Sequence, residues 1–319
     1  MPKVFITRQI PEKGIKLLKD KGFEVEVGPE GKIKREELLE KVKGVEAILS
    51  VLTEKIDKEV MEAAGEQLKV IANYAVGYNN VDVKEAKKKN IVVTNTPGVL
   101  TNAVADHAAA FLLTAACRLI EADKYTKEGK YKAWGPKLLL GGDIYSRTLG
   151  IIGLGRIGRA VASRMKNGFK MKVIYHDVHR NEELEQKEGY EYKEINDLLK
   201  EADFISLHTA LTKETKHLIN KERLEMMKSS AYLINTSRGP VIDEKALVEA
   251  LKEKKIAGAA LDVFENEPEL SPGLADLDNI VLAPHIASAT LETRDKMAEM
   301  AANNVIAVLE GKEPLNPVK

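Results

Sequence analysis

The sequence predicts an α/β protein built from two doubly wound parallel sheets. Short β-branched runs alternate with amphipathic, Lys/Glu-rich stretches, and this alternation occurs in two successive series. Strands that alternate with helices favour parallel sheets that are covered on both faces. The length of 319 residues, with 44% hydrophobic and 31% charged residues, agrees with about two domains that have real hydrophobic cores.

The positions of the individual elements follow from these runs. The strand-like runs of the first series are residues 4–6, 24–27, 47–51, 70–73 and 91–94. Those of the second series are residues 149–152, 172–175, 204–207, 232–235, 257–261 and 280–283. The helix-like stretches between the runs include residues 10–21, 35–43, 157–167 and 244–254.

Two further helical segments define the domain boundaries. The segment from residue 101 to about 129 contains almost no helix breakers, which predicts one helix that joins the two domains. Residues 291–309 form an amphipathic segment with no following strand, and we expect it to return and cover the N-terminal domain. The predicted domains are therefore residues 1–99 with 289–319, and residues 100–288.

Charge and composition limit the classes of partner. Lys+Arg and Asp+Glu both total 49, so the chain lacks the basic excess that is typical of proteins that bind nucleic acids or anionic membranes. The single cysteine, Cys117, excludes an intrachain disulfide and a cysteine-based metal cluster, and we interpret it as helix core. Without a signal-peptide pattern or an apolar run of about 18 residues, we expect a cytoplasmic protein. No metal, nucleic-acid or membrane partner is predicted.

A glycine motif follows the first strand of the second series. Residues 148–158 fit a strand that turns through G-x-G-x-x-G into a helix. Gly153 allows the tight turn, Gly155 lets the backbone approach a pyrophosphate, and Gly158 permits close packing of helix and strand. The helix N-terminus then offers free N–H groups to phosphates. By itself such a motif is weak evidence, because glycine-rich turns are common.

An acidic residue strengthens the prediction of a dinucleotide site. Asp177 ends the next strand, about 20 residues beyond Gly158, where a carboxylate accepts hydrogen bonds from the ribose hydroxyls of NAD. The same carboxylate would repel the 2′-phosphate of NADP. We therefore expect NAD as the cofactor, although Arg180 lies near enough in sequence to weaken the argument against NADP.

Two strand-end residues suit hydride transfer to a 2-oxo acid, which needs a cation for the carboxylate and a proton donor for the forming alkoxide. Arg238 follows the strand at 232–235 and can bind a carboxylate, but a surface arginine that caps a turn explains it equally well. His285 follows the strand at 280–283 and has the best strand-end position among six histidines. His208 lies at another strand end and is its main rival.

The third requirement is a partner that orients the proton donor. Glu267 lies in an acidic loop after the strand at 257–261, and such loops are usually only solvated. From the pattern alone, Glu267 cannot be preferred over Glu265 or Glu269. His107 lies in the predicted linker helix, where a packed core histidine is the simpler interpretation.

The sequence resembles the D-isomer-specific 2-hydroxyacid dehydrogenases over essentially its whole length, and most closely the glyoxylate reductases of that family. The segments that carry the resemblance are residues 72–78, 94–101, 148–158, 234–239, 258–268 and 284–285. The resemblance implies a Rossmann cofactor domain, a flavodoxin-like substrate domain, a small 2-oxo or 2-hydroxy acid substrate, and a homodimer.

The resemblance also implies roles for the residues of the reaction. Arg238 would bind the substrate carboxylate and carbonyl, and His285 would protonate the carbonyl oxygen as hydride arrives from nicotinamide. Glu267 would hold His285 in position and favour its protonated form. The backbone N–H groups of Val76 and Gly77, from the other domain, would complete the carboxylate site.

Further residues are assigned to the substrate pocket and the cofactor. Leu100 and Trp134 would shape a small pocket. Arg156 and Ile157 would contact the pyrophosphate, Asp262 the nicotinamide amide, and Thr101 the nicotinamide side. The remaining cofactor-binding candidates are Thr209, Ala210, Thr215, Thr236, Ser237 and Ala287.

The sequence departs from the family pattern at three positions. Ala287 stands where a glycine is usual, Ala210 replaces a frequent proline near the adenine pocket, and Asn79 replaces a common aspartate. None of these changes removes a catalytic group.

Three hypotheses remain open at this point. The first is a glyoxylate reductase that uses NADH, with some hydroxypyruvate activity, and its nearest alternative is a hydroxypyruvate reductase or another D-2-hydroxyacid dehydrogenase. The second is an NAD-sensing corepressor, which retention of Arg238, Glu267 and His285 does not by itself exclude. The third, an NAD-binding scaffold, predicts NADH binding without turnover of any 2-oxo acid.

Overall fold

In residues 1–318, which this computed structural model describes, the strands form two parallel sheets with helices on both faces. This architecture confirms the predicted α/β class. The chain divides into two units. The split unit comprises Met1–Leu100 and the chain from Ala289 onward, and the continuous unit comprises Thr101–Ser288.

The split unit contains a five-stranded sheet in the order β2-β1-β3-β4-β5, which is the flavodoxin-like order. Its middle strands are buried along their whole length because helices cover both faces. Its elements are β1 (Lys3–Ile6), α1 (Glu12–Asp20), β2 (Glu24–Val27), α2 (Arg35–Lys41), β3 (Ala47–Ser50), α3 (Lys58–Ala64), β4 (Val70–Asn73), α4 (Val83–Lys88), β5 (Val92–Thr94) and the final helix α12 (Leu291–Leu309).

The final helix returns to the first sheet. Helix α12 packs against α1, β3 and β4. A Cβ atom at Gly14 of α1 would lie 2.7 Å from the Ala298 carbonyl oxygen, so the two helices approach more closely than any larger residue allows. Lys13 also forms an ion pair with Asp295 at 2.9 Å. The apolar face of the amphipathic helix α12 is thus buried in this unit.

The continuous unit contains a seven-stranded parallel sheet in the order β12-β11-β10-β9-β6-β7-β8. The strand order reverses between β9 and β6, and ligands of open α/β sheets bind outside the carboxyl ends of the strands at such a point. Its elements are α5 (Thr101–Ala116), α6 (Leu119–Lys127), β6 (Thr148–Ile152), α7 (Arg156–Phe169), β7 (Lys172–His176), α8 (Glu182–Glu188), β8 (Glu191–Tyr192), α9 (Ile195–Glu201), β9 (Phe204–Leu207), α10 (Lys221–Met226), β10 (Tyr232–Asn235), α11 (Glu244–Lys252), β11 (Gly258–Leu261) and β12 (Ile280–Leu282).

Two apolar clusters cover the faces of this second sheet. Phe111 of α5 and Val161 of α7 pack on one face with Ile151 of β6. On the other face, residues of α9, α10 and α11 pack against β9 and β10. With both faces filled, the carboxyl ends of the strands are the edge at which loops display polar side chains.

The prediction of one continuous helix from residue 101 to about 129 is wrong. The chain breaks between α5 and α6 at Cys117 and Arg118, and Arg118 adopts a left-handed backbone with φ 53°. Its guanidinium is held by both oxygens of Glu121 at 2.8 Å and by the Leu140 carbonyl at 3.1 Å. Cys117 is consequently exposed in the turn and is not part of a helix core.

Within the described part of the chain, no single helix has the length and apolar character that a membrane crossing requires. Helices α5 and α6 meet the requirement only as a pair, and they are bent by 60° at their junction.

Candidate active site and cofactor site

The glycine motif forms a tight turn between β6 and α7. Gly153 has φ +94°, and a Cβ atom there would lie 2.8 Å from the backbone of His208. A Cβ atom at Gly155 would meet nothing within 4 Å, so this side of the turn faces open space. The turn therefore has the close packing and the open approach that a pyrophosphate requires.

The N-terminus of α7 offers free hydrogen-bond donors at this turn. Gly155 is the N-cap and no side chain caps the helix. The Gly153 amide donates to the His176 carbonyl at 2.9 Å, and the Leu154 amide to Asp177 at 2.7 Å. Among the described residues, the N–H groups of Gly155 and Arg156 have no acceptor. They form the positive end of the helix dipole beside the open space at the turn.

Asp177 lies directly beside the glycine turn. One carboxylate oxygen accepts the Leu154 amide, and the other accepts the His179 amide at 3.1 Å. Arg180 is engaged elsewhere, because its guanidinium makes two bonds of 2.9 and 2.7 Å to Glu185. The hydrogen bonds and the charge of Glu185 raise the pKa of Arg180 above its usual value. Asp177, which favours NAD, thus lies at the glycine turn, whereas Arg180, which could favour NADP, is paired with Glu185.

Two buried hydroxyl groups follow neighbouring strands of the same sheet. Among the described residues, the Oγ1 atoms of Thr209, after β9, and Thr236, after β10, are buried without a hydrogen-bond partner. Their neighbours are satisfied internally, since Thr215 donates to the Ala210 carbonyl at 2.7 Å and Ser237 to Asn235 at 2.8 Å. Buried hydroxyls require partners, so these two atoms suit a bound polar cofactor.

His285 and Glu267 form a hydrogen-bonded pair at the carboxyl ends of β11 and β12. The Nδ1 atom of His285 lies 2.9 Å from the Oε2 atom of Glu267, and about a quarter of each side chain is exposed. Glu265 instead contacts His217 at 2.6 Å. The geometry therefore selects Glu267 as the partner of His285 and leaves Nε2 available to a substrate.

The surroundings of Glu267 favour its charged form. Burial opposes ionisation, but the hydrogen bond and charge of His285, the Phe264 amide at 3.0 Å and the charge of Arg238 outweigh it. Together they hold the pKa of Glu267 below its usual value. The carboxylate is consequently ionised at neutral pH and accepts the hydrogen bond from His285.

Glu244 and His217 fix the loop that carries Glu267. Glu244 is buried at the start of α11 and accepts the Glu265 amide at 2.6 Å and the Ser271 hydroxyl at 2.7 Å. The Nε2 atom of His217 lies 2.6 Å from the Oε1 atom of Glu265. Neither residue stands out in the sequence, because a helix-start glutamate and an isolated histidine have many ordinary explanations.

Asp262 fixes the loop that carries His285. Its carboxylate is fully buried and accepts the amides of Ile286 and Ala287, both at 2.7 Å. Burial raises the pKa of Asp262 despite these bonds. The Nε2 atom of His107 lies 3.6 Å from Asp262, and burial lowers the pKa of His107, while the carboxylate opposes that shift.

Arg238 lies directly after β10 and is partly buried. The Asn235 amide bonds its carbonyl oxygen at 2.9 Å, and its own Nη1 atom donates to the Ser237 carbonyl at 2.6 Å. Burial lowers the pKa of Arg238, and the charge of Glu267 opposes this shift. A Cβ atom at Gly239 would lie 1.9 Å from the Phe264 backbone, so the loops that carry Arg238 and Glu267 are in close contact.

His208, the rival proton donor, has a different environment. Its Nε2 atom lies 2.8 Å from the Ser206 hydroxyl. Burial lowers the pKa of His208 to about 3. The ring is therefore neutral near pH 7, and of the two strand-end histidines only His285 has a carboxylate partner.

The remaining predicted residues lie in several places. In the split unit, Val76 and Gly77 form the loop after β4, and Leu100 is buried at the end of the unit. In the continuous unit, Thr101 begins α5, and Trp134 is 79% exposed between α6 and β6.

The loop at Val76 and Gly77 is supported by two asparagines that the sequence analysis missed. Asn95 bonds the Val76 carbonyl and Asn73 the Gly77 carbonyl, both at 2.8 Å. Among the described residues, the N–H groups of Val76 and Gly77 have no acceptor. In the sequence, the two asparagines were marked only by their positions at the ends of β4 and β5 and by lying in segments that carry the family resemblance.

Comparison with known proteins identifies the family. Residues 109–287 match the NAD binding domain of the D-isomer specific 2-hydroxyacid dehydrogenases. A glyoxylate reductase of Pyrococcus horikoshii is 54% identical over 318 residues, which cover 98% of this chain and 94% of that protein. These matches span the glycine turn and the loops of Arg238, Glu267 and His285.

Solved structures agree with this result. The TT0316 protein of Thermus thermophilus is 47% identical with a TM-score of 0.94, covering 99% of this chain and 100% of that one. An NADPH-dependent glyoxylate/hydroxypyruvate reductase from Sinorhizobium meliloti is 33% identical with a TM-score of 0.88, covering 99% and 96%. By sequence and by fold, the chain belongs to the D-isomer specific 2-hydroxyacid dehydrogenase family.

Proposed function

We propose that the protein is an NADH-dependent glyoxylate reductase that converts glyoxylate to glycolate. The observation that carries this proposal is the His285–Glu267 pair at the strand ends, with Arg238 in the adjoining loop. Curated relatives named glyoxylate reductase, at 50–54% identity, support the choice of substrate.

Each residue of the proposed site has a separate task. When bound, the nicotinamide supplies the hydride that reduces the carbonyl carbon. His285 donates the proton to the carbonyl oxygen from Nε2, since Glu267 occupies Nδ1. Arg238 binds the carboxylate with its planar guanidinium, and its positive charge also favours the oxygen that becomes negative during the reaction.

The residues around the glycine turn fit a dinucleotide. The open space at Gly155, the free amides of the α7 N-terminus and the unpartnered hydroxyls of Thr209 and Thr236 are suited to hold it. Arg156 and Ile157 would hold the pyrophosphate, Asp262 the nicotinamide amide, and Thr101 and Ala287 would line the nicotinamide side. The cofactor-binding positions Ala210, Thr215 and Ser237 remain part of this proposal.

We propose NADH in preference to NADPH on the basis of two side chains. Asp177 presents a carboxylate beside the glycine turn, which suits ribose hydroxyls and repels a 2′-phosphate. Arg180, the nearest cation in sequence, is neutralised by two hydrogen bonds to Glu185. Because one relative is NADPH-dependent, the preference rests on these residues and not on the family.

Hydroxypyruvate is the alternative substrate, and the relative from Sinorhizobium meliloti is named for both acids. Both carry a carboxylate next to the reacting carbonyl, so Arg238, His285 and the N–H groups of Val76 and Gly77 would treat them alike. Leu100 and Trp134 are proposed to limit the room for larger substituents.

We also propose a homodimer, in which a second copy of this chain covers an apolar arm at residues 119–145. The arm exposes Ile120 by 57%, Trp134 by 79%, Leu140 by 64% and Tyr145 by 65%. Large apolar side chains that are exposed together in one segment favour a protein interface.

Removing the imidazole tests the assigned chemistry. We expect His285→Ala to lower the rate of NADH oxidation by glyoxylate by about 10²- to 10⁴-fold, because the alkoxide loses its proton donor. Steady-state kinetics and NADH fluorescence titration give the rate and the cofactor affinity, which should stay near the native value. If the unsubstituted protein bound NADH but turned over no 2-oxo acid, that result would instead support the corepressor or scaffold hypothesis.

Changing the ribose carboxylate tests the cofactor preference. We expect Asp177→Ala to raise the ratio of kcat/KM with NADPH to that with NADH by about tenfold or more, because a charge repulsion of about 1.4 kcal/mol corresponds to that factor. Glu185→Gln, which releases Arg180, should act in the same direction. An unchanged ratio in both variants would mean that other residues read the ribose.

Placing a charge in the apolar arm tests the dimer. We expect Leu140→Asp to shift the sedimentation equilibrium from twice the mass of a 35.3 kDa chain towards the single chain, because the interface would bury an unpaired carboxylate. Leu315→Asp, at an exposed leucine outside the arm, is the matched control. A native protein that sediments as a monomer would contradict the proposal.

A further inference from the structure

The loop after β4 presents its two free N–H groups in a fixed direction. The Thr96 amide donates to the Ala75 carbonyl at 2.9 Å, and the side chain of Asn95 donates to the Val76 carbonyl at 2.8 Å. Both peptide units are trans, so each C=O points opposite to the N–H that follows it. The N–H groups of Val76 and Gly77 therefore point away from the segment after β5.

The two donors are oriented by different means. The Val76 N–H is oriented by a bond from the backbone of Thr96, which any residue at that position can make except proline. The Gly77 N–H depends on the side chain of Asn95, since that amide is the group that bonds the Val76 carbonyl. Only the second arrangement requires a particular residue type.

Asn95 is itself held in place from the C-terminal part of the chain. Its N–H donates to the Asn316 carbonyl at 3.2 Å, and its carbonyl accepts from Asn304 of α12 at 3.5 Å. Asn304 and Asn316 are joined by two further bonds of 3.2 Å, and Thr94 forms an antiparallel bridge with Pro317. The amide of Asn95 thus projects from a backbone that is fixed on both sides.

The opposite end of the loop is held in a similar way. Asn73 is fully buried and donates to the Gly77 carbonyl at 2.8 Å, while its oxygen accepts from Ser50 and Asn80. The Gly77 carbonyl belongs to the peptide unit of the Tyr78 N–H. Asn73 therefore limits the movement of the loop but does not set the direction of the Gly77 donor.

Two adjacent N–H groups on one side of a loop are a small anion site. The loop from Tyr74 to Asn79 contains no acidic residue and lies at the carboxyl end of β4, where ligands of open α/β sheets bind. We propose that Asn95 is a positioning residue for the substrate carboxylate, because its side-chain amide directs the Gly77 N–H donor. This inference rests on the proposed reduction of a 2-oxo acid.

The inference is tested by the binding of oxamate. Oxamate is an analogue of a 2-oxo acid in which the carboxylate is kept and the carbonyl belongs to an amide. In the presence of NADH we expect Asn95→Ala to weaken oxamate binding about tenfold and to raise KM for glyoxylate by a similar factor. The value of kcat should stay within about twofold and the NADH affinity should stay unchanged, because neither depends on the Gly77 donor. Asn95→Leu, which keeps more of the side-chain volume, should behave in the same way.

Asp57→Ala is the matched control for a general loss of stability. It removes the side-chain cap of α3 in the same unit, a loss of about 1 kcal/mol, together with the ion pair to Arg35, and within the described part of the chain Asp57 has no hydrogen bond to the loop after β4. Its melting temperature should fall while its oxamate affinity stays native. A parallel loss of oxamate affinity in Asp57→Ala would show that Asn95 acts only through stability.

Two outcomes separate this inference from the proposed function. Native oxamate affinity in both Asn95 variants would overturn the role of Asn95 and leave the reductase activity in place. A native protein that neither binds oxamate with NADH nor reduces any 2-oxo acid would overturn the proposed function, and the inference with it.

Discussion

The hydrogen bond between His285 and Glu267 is the interaction on which the rest of the site depends. It joins the loops that follow β11 and β12, and it engages Nδ1 of His285, so Nε2 is the ring nitrogen left for another partner. Both loops are fixed by buried carboxylates, Asp262 under the His285 loop and Glu244 under the Glu267 loop. The sheet places the strand ends, but these backbone contacts hold the two side chains at hydrogen-bond distance.

The charge of Glu267 acts on two neighbouring side chains. Its charge acts on His285 directly and on Arg238 across the close contact between the two loops. Burial disfavours the charged forms of both Glu267 and Arg238. The opposite charge of each group favours the ionised form of the other. In the proposed reduction, one carboxylate would therefore support both the guanidinium that binds the substrate and the imidazole that donates the proton.

Much of this structure could be predicted from the sequence, because the relevant signals are local. The alternation of strands and helices gave the α/β class, and the spacing from Gly153 to Asp177 predicted a dinucleotide turn that the structure builds with the expected packing. Strand-end positions identified Arg238 and His285 as candidates. The choice of Glu267 over Glu265 needed the resemblance, and the distances now distinguish the two glutamates.

The missed features are contacts between residues that are far apart in the sequence. Glu244 bonds a backbone amide 21 positions away, and Asn95 bonds a carbonyl 19 positions away. Such bonds have no period and no characteristic spacing, so no pattern reveals them. The break at Arg118 was missed for a related reason: neither glycine nor proline marks it, and its guanidinium holds the turn through Glu121 and a distant carbonyl.

The rate of Glu267→Gln tests the central pair most directly. Glutamine keeps the size and can offer its amide oxygen to Nδ1, but it removes the negative charge beside His285 and Arg238. We predict that kcat/KM for glyoxylate falls about 10²-fold, while Glu269→Gln in the same loop keeps the native value. A native kcat/KM in Glu267→Gln would show that the pair does not set the proton donor.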